Sequence, residues 1–114
     1  MRGRNNRLNG DNNTLTGLNN TIVGNSNKGF GMNNIMFGDE NTITKGNDNK
    51  IKGSKNIMEG IGNIVFGDLN AINGHNNTAA GSKNTIQGGN NNLIGDGNSI
   101  AGHNNTALGD DNAI

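Results

Sequence analysis

The side chains best suited to chemistry are thinly scattered along this sequence. They are two histidines (His75 and His103), aspartates at Asp11, Asp39, Asp68 and Asp96, paired threonines (Thr14 with Thr16, Thr42 with Thr44), and a great many asparagines. Imidazoles and carboxylates offer proton transfer or metal ligation. Hydroxyls and amides offer hydrogen bonds alone. There is no cysteine, so neither disulfides nor thiolate metal sites are available. What these groups can do depends on the elements that place them, and one regularity specifies those elements. Asn6, Asn13, Asn20, Asn27, Asn34, Asn41, Asn49, Asn56, Asn63, Asn70, Asn77, Asn84, Asn91, Asn98, Asn105 and Asn112 occupy one fixed place in a seven-residue repeat. Each follows a glycine by three positions, and the unit reads Gly-x-x-Asn-x-(Ile/Leu/Met/Val)-x from Gly3 to Gly109. The period breaks once, where an extra residue near Lys45 lengthens the step from Gly38 to Gly46.

Composition bounds what such a repeat can build. The 114 residues make one domain, 1–114, with no separate caps. Only 29% of residues are hydrophobic, a value that alone suggests disorder. Disorder, however, does not require an aliphatic side chain at every seventh position. The formal net charge is zero, without the basic footprint of a nucleic-acid binder. No apolar run has the length of a membrane span or of a signal-peptide core. Compartment is left open by the residues.

The heptad is not that of a coiled coil. Glycine at every seventh position would cost about 1 kcal/mol each in a helix interior. Only one position per heptad is apolar, where a helical seam needs two. Collagen needs glycine at every third residue and abundant proline, and proline is absent. A two-sided β-solenoid accounts for each feature. With a period of two, Asn-x-Ile-x is a short strand that turns Asn and the aliphatic residue inward. Gly-x-x then turns the corner. Two heptads make one coil, so the chain predicts about eight coils and, at ~4.8 Å per rung, a stack roughly 38 Å long.

The inward asparagines then stack one rung apart, where amides can donate to one neighbour and accept from the next. None of the sixteen positions is Asp, which would stack like charges in a poorly solvated column. The core is thin. Its expected inward pairs run from Leu8 with Leu15 to Ala107 with Ile114, and the weak point is Ile22 with Gly29. Nothing fills that glycine's slot unless Phe30 moves inward.

On this scaffold the chemical residues separate. His75 and His103 lie two coils apart, about 9.6 Å, too far to share a metal. Asp11, Asp39, Asp68 and Asp96 are likewise spaced by two coils, and only Asp96 and Asp110 fall on adjacent rungs, beside Asp111. No calcium-roll pattern is present, and no glycine leads into a phosphate-cradling helix. The expectation is a protein without catalytic residues, metal or cofactor.

The units Gly-Leu-Asn-Asn-Thr-Ile-Val (17–23), Gly-Ser-Lys-Asn-Thr-Ile-Gln (81–87) and Gly-His-Asn-Asn-Thr-Ala-Leu (102–108) carry a resemblance. They resemble the x-x-Asn-x-Val-x-Gly repeats of the perennial ryegrass ice-binding (antifreeze) β-roll family, along the whole chain. That resemblance implies a left-handed β-roll with an aliphatic core and internal Asn ladders. A second likeness, through Asn-Thr-Ala-Leu-Gly (105–109), is to the head repeats of trimeric autotransporter adhesins. Both likenesses imply an extracellular setting, and the second implies a trimer.

Even and odd heptads face opposite ways. The even face carries Thr14, Thr16, Thr42, Thr44 and Thr85, the candidates for an ice-binding array, interrupted by Lys28, Phe30, Ile57 and Glu59. The odd face carries Val23, Ile35, Phe37, Ile64, Phe66, Ile94 and Leu108, an apolar stripe with one charged gap at Lys50 and Lys52. Leu18, Met32 and Ile61 adjoin it. A contiguous apolar patch of this extent marks an interface. Arg2, Arg4 and Arg7 stand at one end of the stack, and Asp110 and Asp111 at the other. Opposite charges favour head-to-tail contact. The leading expectation is therefore a structural protein whose partner is itself, assembled into a filament with an apolar lateral face. The alternative is an ice-binding protein that inhibits recrystallisation through its Thr-x-Thr units.

Overall fold

A computed structural model describes residues 1–114. Sixteen short strands alternate between two parallel eight-stranded sheets. Sheet A holds β1 (Arg2–Arg4), β3 (Thr14–Leu18), β5 (Lys28–Met32), β7 (Thr42–Asn47), β9 (Ile57–Ile61), β11 (Ala71–His75), β13 (Thr85–Gly89) and β15 (Ser99–His103). Sheet B holds β2 (Arg7–Asn9), β4 (Thr21–Val23), β6 (Ile35–Phe37), β8 (Lys50–Lys52), β10 (Ile64–Phe66), β12 (Thr78–Ala80), β14 (Asn92–Ile94) and β16 (Thr106–Leu108). Each strand pairs with its counterpart one coil away, so the molecule is an all-β solenoid of eight coils. It measures 39 × 21 × 13 Å, a long axis close to the length expected from the repeat count.

One coil shows why the repeat folds this way. In β3 the residues alternate outward and inward, with Leu15 fully buried between Thr14 and Thr16. Gly17 bends the chain at φ 137°, and a Cβ there would collide with the carbonyl oxygen of Gly31 on the next coil. The glycine is thus required twice, by its backbone angle and by the close approach of the neighbouring coil. Asn19 then adopts the left-handed conformation (φ 57°), which aims Asn20 inward and starts β4. The residue before every ladder Asn does the same, and Asn or Gly fills it at nine of sixteen coil corners. The Asn-Asn doublets of the sequence reflect that tolerance for the left-handed region.

The core is one line of thirteen buried aliphatic residues from Leu15 to Ala107. Leu8 packs against it only partly buried, and Ile114, expected inside, is 50% exposed. Both sit on end rungs, covered by a neighbouring coil on one side only. The empty slot at Gly29 is filled, but not by Phe30, which stays outside at 38% exposure. Instead Met36, Leu15 and Ile22 close in, the Met36 methyl lying 2.8 Å from where a Cβ of Gly29 would be. A flexible thioether reaching across the sheets is the kind of side chain that fills such gaps.

The extra residue is a β-bulge in β7. Ile43 pairs with Met58 and Lys45 with Glu59, leaving Thr44 without a partner across the ladder. Thr44 and Lys45 both point outward, and the Thr44 hydroxyl donates to the Met58 carbonyl at 3.4 Å. Thr44 therefore stands beside its expected column rather than in it. Sheet B passes the same coil without a shift in register.

Candidate functional site

The ladder is the frame on which every outer side chain rests. Asn63 is typical: its Oδ1 accepts from the Asn77 backbone N–H (2.9 Å) and from Asn77 Nδ2 (3.1 Å), and its own Nδ2 donates to Asn49 Oδ1 (3.3 Å) and to the Gly74 carbonyl (2.8 Å). Twelve ladder asparagines, Asn20 through Asn98, are fully buried, and no buried side-chain nitrogen or oxygen lacks a partner. Aspartate could accept like Asn but could not donate to the glycine carbonyl. Glycine and asparagine are thus required together, since the carbonyl that the glycine turns inward is the one the amide answers.

A second ladder runs outside, along the corner from sheet B to sheet A, and it was not legible as such in the sequence. The backbone N–H of Asn25 donates to Asp39 Oδ1 (2.6 Å), that of Ser54 to Asp68 (2.6 Å), that of Ser82 to Asp96 (2.6 Å) and that of Asp96 to Asp110 (2.8 Å). The aspartates cap backbone donors. Asn25, Ser54 and Ser82 stand on the rungs between them, so like charges rarely meet at one-rung spacing. The signal was the alternation of Asp with Ser or Asn from one coil to the next. No group of three or more His or acidic side chains is placed to hold a metal ion. His75 and His103 are separated by the Gly89 rung.

The two outer faces differ in shape. On sheet A, one column runs Thr14, Lys28, Thr42, Ile57, Ala71, Thr85, Ser99, and the next runs Thr16, Phe30, then Thr44 with Lys45, then Glu59, Asn73, Gln87, Ala101. The threonines at 14–16 and 42–44 are two rungs apart, with Lys28 and Phe30 between them. A groove of about 490 Å³ opens beside the bulge, lined by Phe30, Lys45, Glu59, Ile61, Asn73 and His75 among others. A second hollow, of about 280 Å³, lies between Thr44, Glu59 and Thr85. Lysine, glutamate, bulge and hollows together break the evenness of this face.

Sheet B is regular. Its columns run Arg7, Thr21, Ile35, Lys50, Ile64, Thr78, Asn92, Thr106 and Asn9, Val23, Phe37, Lys52, Phe66, Ala80, Ile94, Leu108, in unbroken register. From β10 to β16, four successive rungs carry no charge. Phe37 (46%), Phe66 (50%), Ile94 (50%) and Leu108 (67%) are exposed. Leu18, Met32 and Ile61 are exposed too, but they close the strands of sheet A and line the corner, so the stripe wraps an edge. Arg2, Arg4 and Arg7 lie on the first coil, and Asp110 and Asp111 beyond β16 at the opposite end of the stack.

No curated protein matches the chain. The sequence pattern of the grass antifreeze beta roll does match it, over residues 29–114. Those residues hold coils with the buried Asn ladder, the aliphatic line and the two parallel sheets described above. The fold and the matched repeats lead to one conclusion: the chain belongs to the grass antifreeze beta-roll family.

Proposed function

We propose that the protein is a non-catalytic ice binder and that its ice-contacting face is sheet B between Ile64 and Leu108. The observation that carries this reading is the unbroken, uncharged array of β10, β12, β14 and β16. An ice plane is a periodic set of water positions. A surface that adsorbs to it must repeat evenly and must not hold its own tight hydration shells. Rungs recur at about 4.8 Å and outward residues within a strand at about 6.7 Å. Thr78 and Thr106 place hydroxyls on that grid, where they hydrogen-bond ordered water, while Ala80, Ile94 and Leu108 shed theirs. The Thr-x-Thr units of sheet A offer the same chemistry on a less even platform.

The test is ice recrystallisation inhibition by the unglycosylated chain made in bacteria. Thr78→Lys with Thr106→Lys is expected to weaken inhibition at least tenfold, and Thr85→Lys on sheet A to leave it within twofold. Loss confined to the Thr85 variant would move the ice face to sheet A. Grain growth unaffected by the parent protein would remove the ice reading altogether.

A second reading is pairing of copies through sheet B, supported by the exposure of Phe37, Phe66, Ile94 and Leu108. Exposed aromatic and aliphatic side chains in one stripe favour a lateral partner. A mass that stays monomeric at millimolar concentration in light scattering would sink it.

A further inference from the structure

Four tripeptides in the chain have the form Asn-x-Thr: Asn12-Asn13-Thr14, Asn19-Asn20-Thr21, Asn76-Asn77-Thr78 and Asn104-Asn105-Thr106. This is the acceptor pattern for N-linked glycosylation. We propose that Asn12, Asn19, Asn76 and Asn104 are glycan acceptors, and that the coil is built so that only these asparagines can be. In the transfer, the acceptor Nδ2 bonds to C1 of an oligosaccharide carried on a lipid diphosphate. The C1–O bond to the diphosphate breaks, the lipid diphosphate leaves, and Nδ2 gives up one proton. No oxidant or reductant is involved.

All four acceptors occupy the left-handed corner position, at φ 57°, 57°, 54° and 60°, and all four are exposed. None belongs to the buried ladder. Asn19 Nδ2 makes one outer contact, at 3.3 Å to Asn33 Oδ1, and a glycosylated amide keeps one N–H for it. The neighbouring ladder asparagine is different in kind. Asn77 Nδ2 uses both hydrogens, toward Asn63 Oδ1 (3.1 Å) and the Gly88 carbonyl (2.9 Å), and has no room for a sugar.

The repeat itself keeps the ladder out of reach. Two residues beyond each ladder Asn is the core position, filled by an aliphatic side chain or, once, by Gly29. A hydroxyl there would be buried inside the coil. A ladder Asn therefore never heads an Asn-x-Thr tripeptide, whereas the exposed Asn one residue earlier does whenever the first outward residue of the next strand is Thr. Packing and acceptor chemistry are thus separated by a single residue. Asn19, Asn76 and Asn104 lie along the corner leading from sheet A to sheet B, and Asn12 along the opposite corner. Glycans there would stand at the edges of the flattened coil, off the faces.

The experiment is secretion of the full chain behind a cleavable leader from a eukaryotic host. Intact mass is read before and after an amidase that removes N-glycans and leaves Asp in place of each occupied Asn. Peptide mapping is expected to find that conversion at Asn12, Asn19, Asn76 and Asn104 and at no ladder position. Thr78→Ala and Thr106→Ala are expected to abolish it at Asn76 and Asn104 respectively, with the β-type circular dichroism unchanged. A secreted chain carrying no glycan, a glycan on a ladder Asn, or a glycosylated chain that has lost its β spectrum would each overturn the proposal.

Discussion

At the scale of single residues, the protein depends on an amide that must both donate and accept. Asn63→Asp keeps the shape and the acceptor but turns a second oxygen toward the Gly74 carbonyl. A buried, unpaired carboxylate costs about 3–5 kcal/mol. The variant is expected to melt well over ~10 °C below the parent at neutral pH. Burial raises the new carboxyl's pKa in the folded state above its unfolded value. The folded state then holds the proton more tightly, so the deficit should shrink as pH falls through that raised pKa and the protonated oxygen becomes a donor. Thermal melts at acid and neutral pH check both statements; a deficit independent of pH would show that charge is not the cause. The ladder was legible because its Asn recurs without a single Asp. The Asp corner ladder escaped because hydrogen bonds to a backbone one coil away leave only a faint alternation of residue types.

At the scale of elements, two irregularities test how the coil absorbs error. Met36 fills its own slot and that of Gly29, so Met36→Ala removes two contacts across the core and should cost about 2–5 kcal/mol. Gly29→Ala should change stability by no more than about 1 kcal/mol, because lower chain entropy in the unfolded state offsets the shift forced on the Met36 methyl. Chemical denaturation of the two variants measures the contrast. Deleting Thr44 should restore a fourteen-residue coil and bring Lys45 into line between Phe30 and Glu59. The expected melting point is at or above that of the parent, and loss of the β spectrum would show that the bulge is needed. The sequence located the inserted residue to within one position. It could not tell that Thr44, rather than Lys45, would lose its partner across the ladder, since that is decided by pairing with coils on either side.

At the scale of the whole molecule, the coil presents two broad faces on one frame. Phe37→Asp with Phe66→Asp should abolish any concentration-dependent rise in mass while leaving the coil folded, because both side chains lie outside the core. The same substitutions place charge in the middle of sheet B and at its uncharged run, so ice activity should fall too. An ice activity that survives them would place the binding surface on sheet A. The family assignment brings ice to the fore, whereas the residues alone favoured self-association, because an even, weakly apolar stripe reads equally well as a protein interface or as a water-ordering surface.

The sequence by itself determined the coil: its period, the number of rungs, what faces inward between the end rungs, and which residues share a column away from the bulge. Those follow from a repeat of two alternations, glycine for the corner and asparagine for the ladder, and each is local or one coil distant. Tertiary structure decided how Met36 closes over Gly29, where Thr44 is pushed out, and how aspartates cap the outer corner. It also decided which face is even. Each of these depends on the volume and hydrogen-bonding needs of side chains from coils that meet only once the stack has formed.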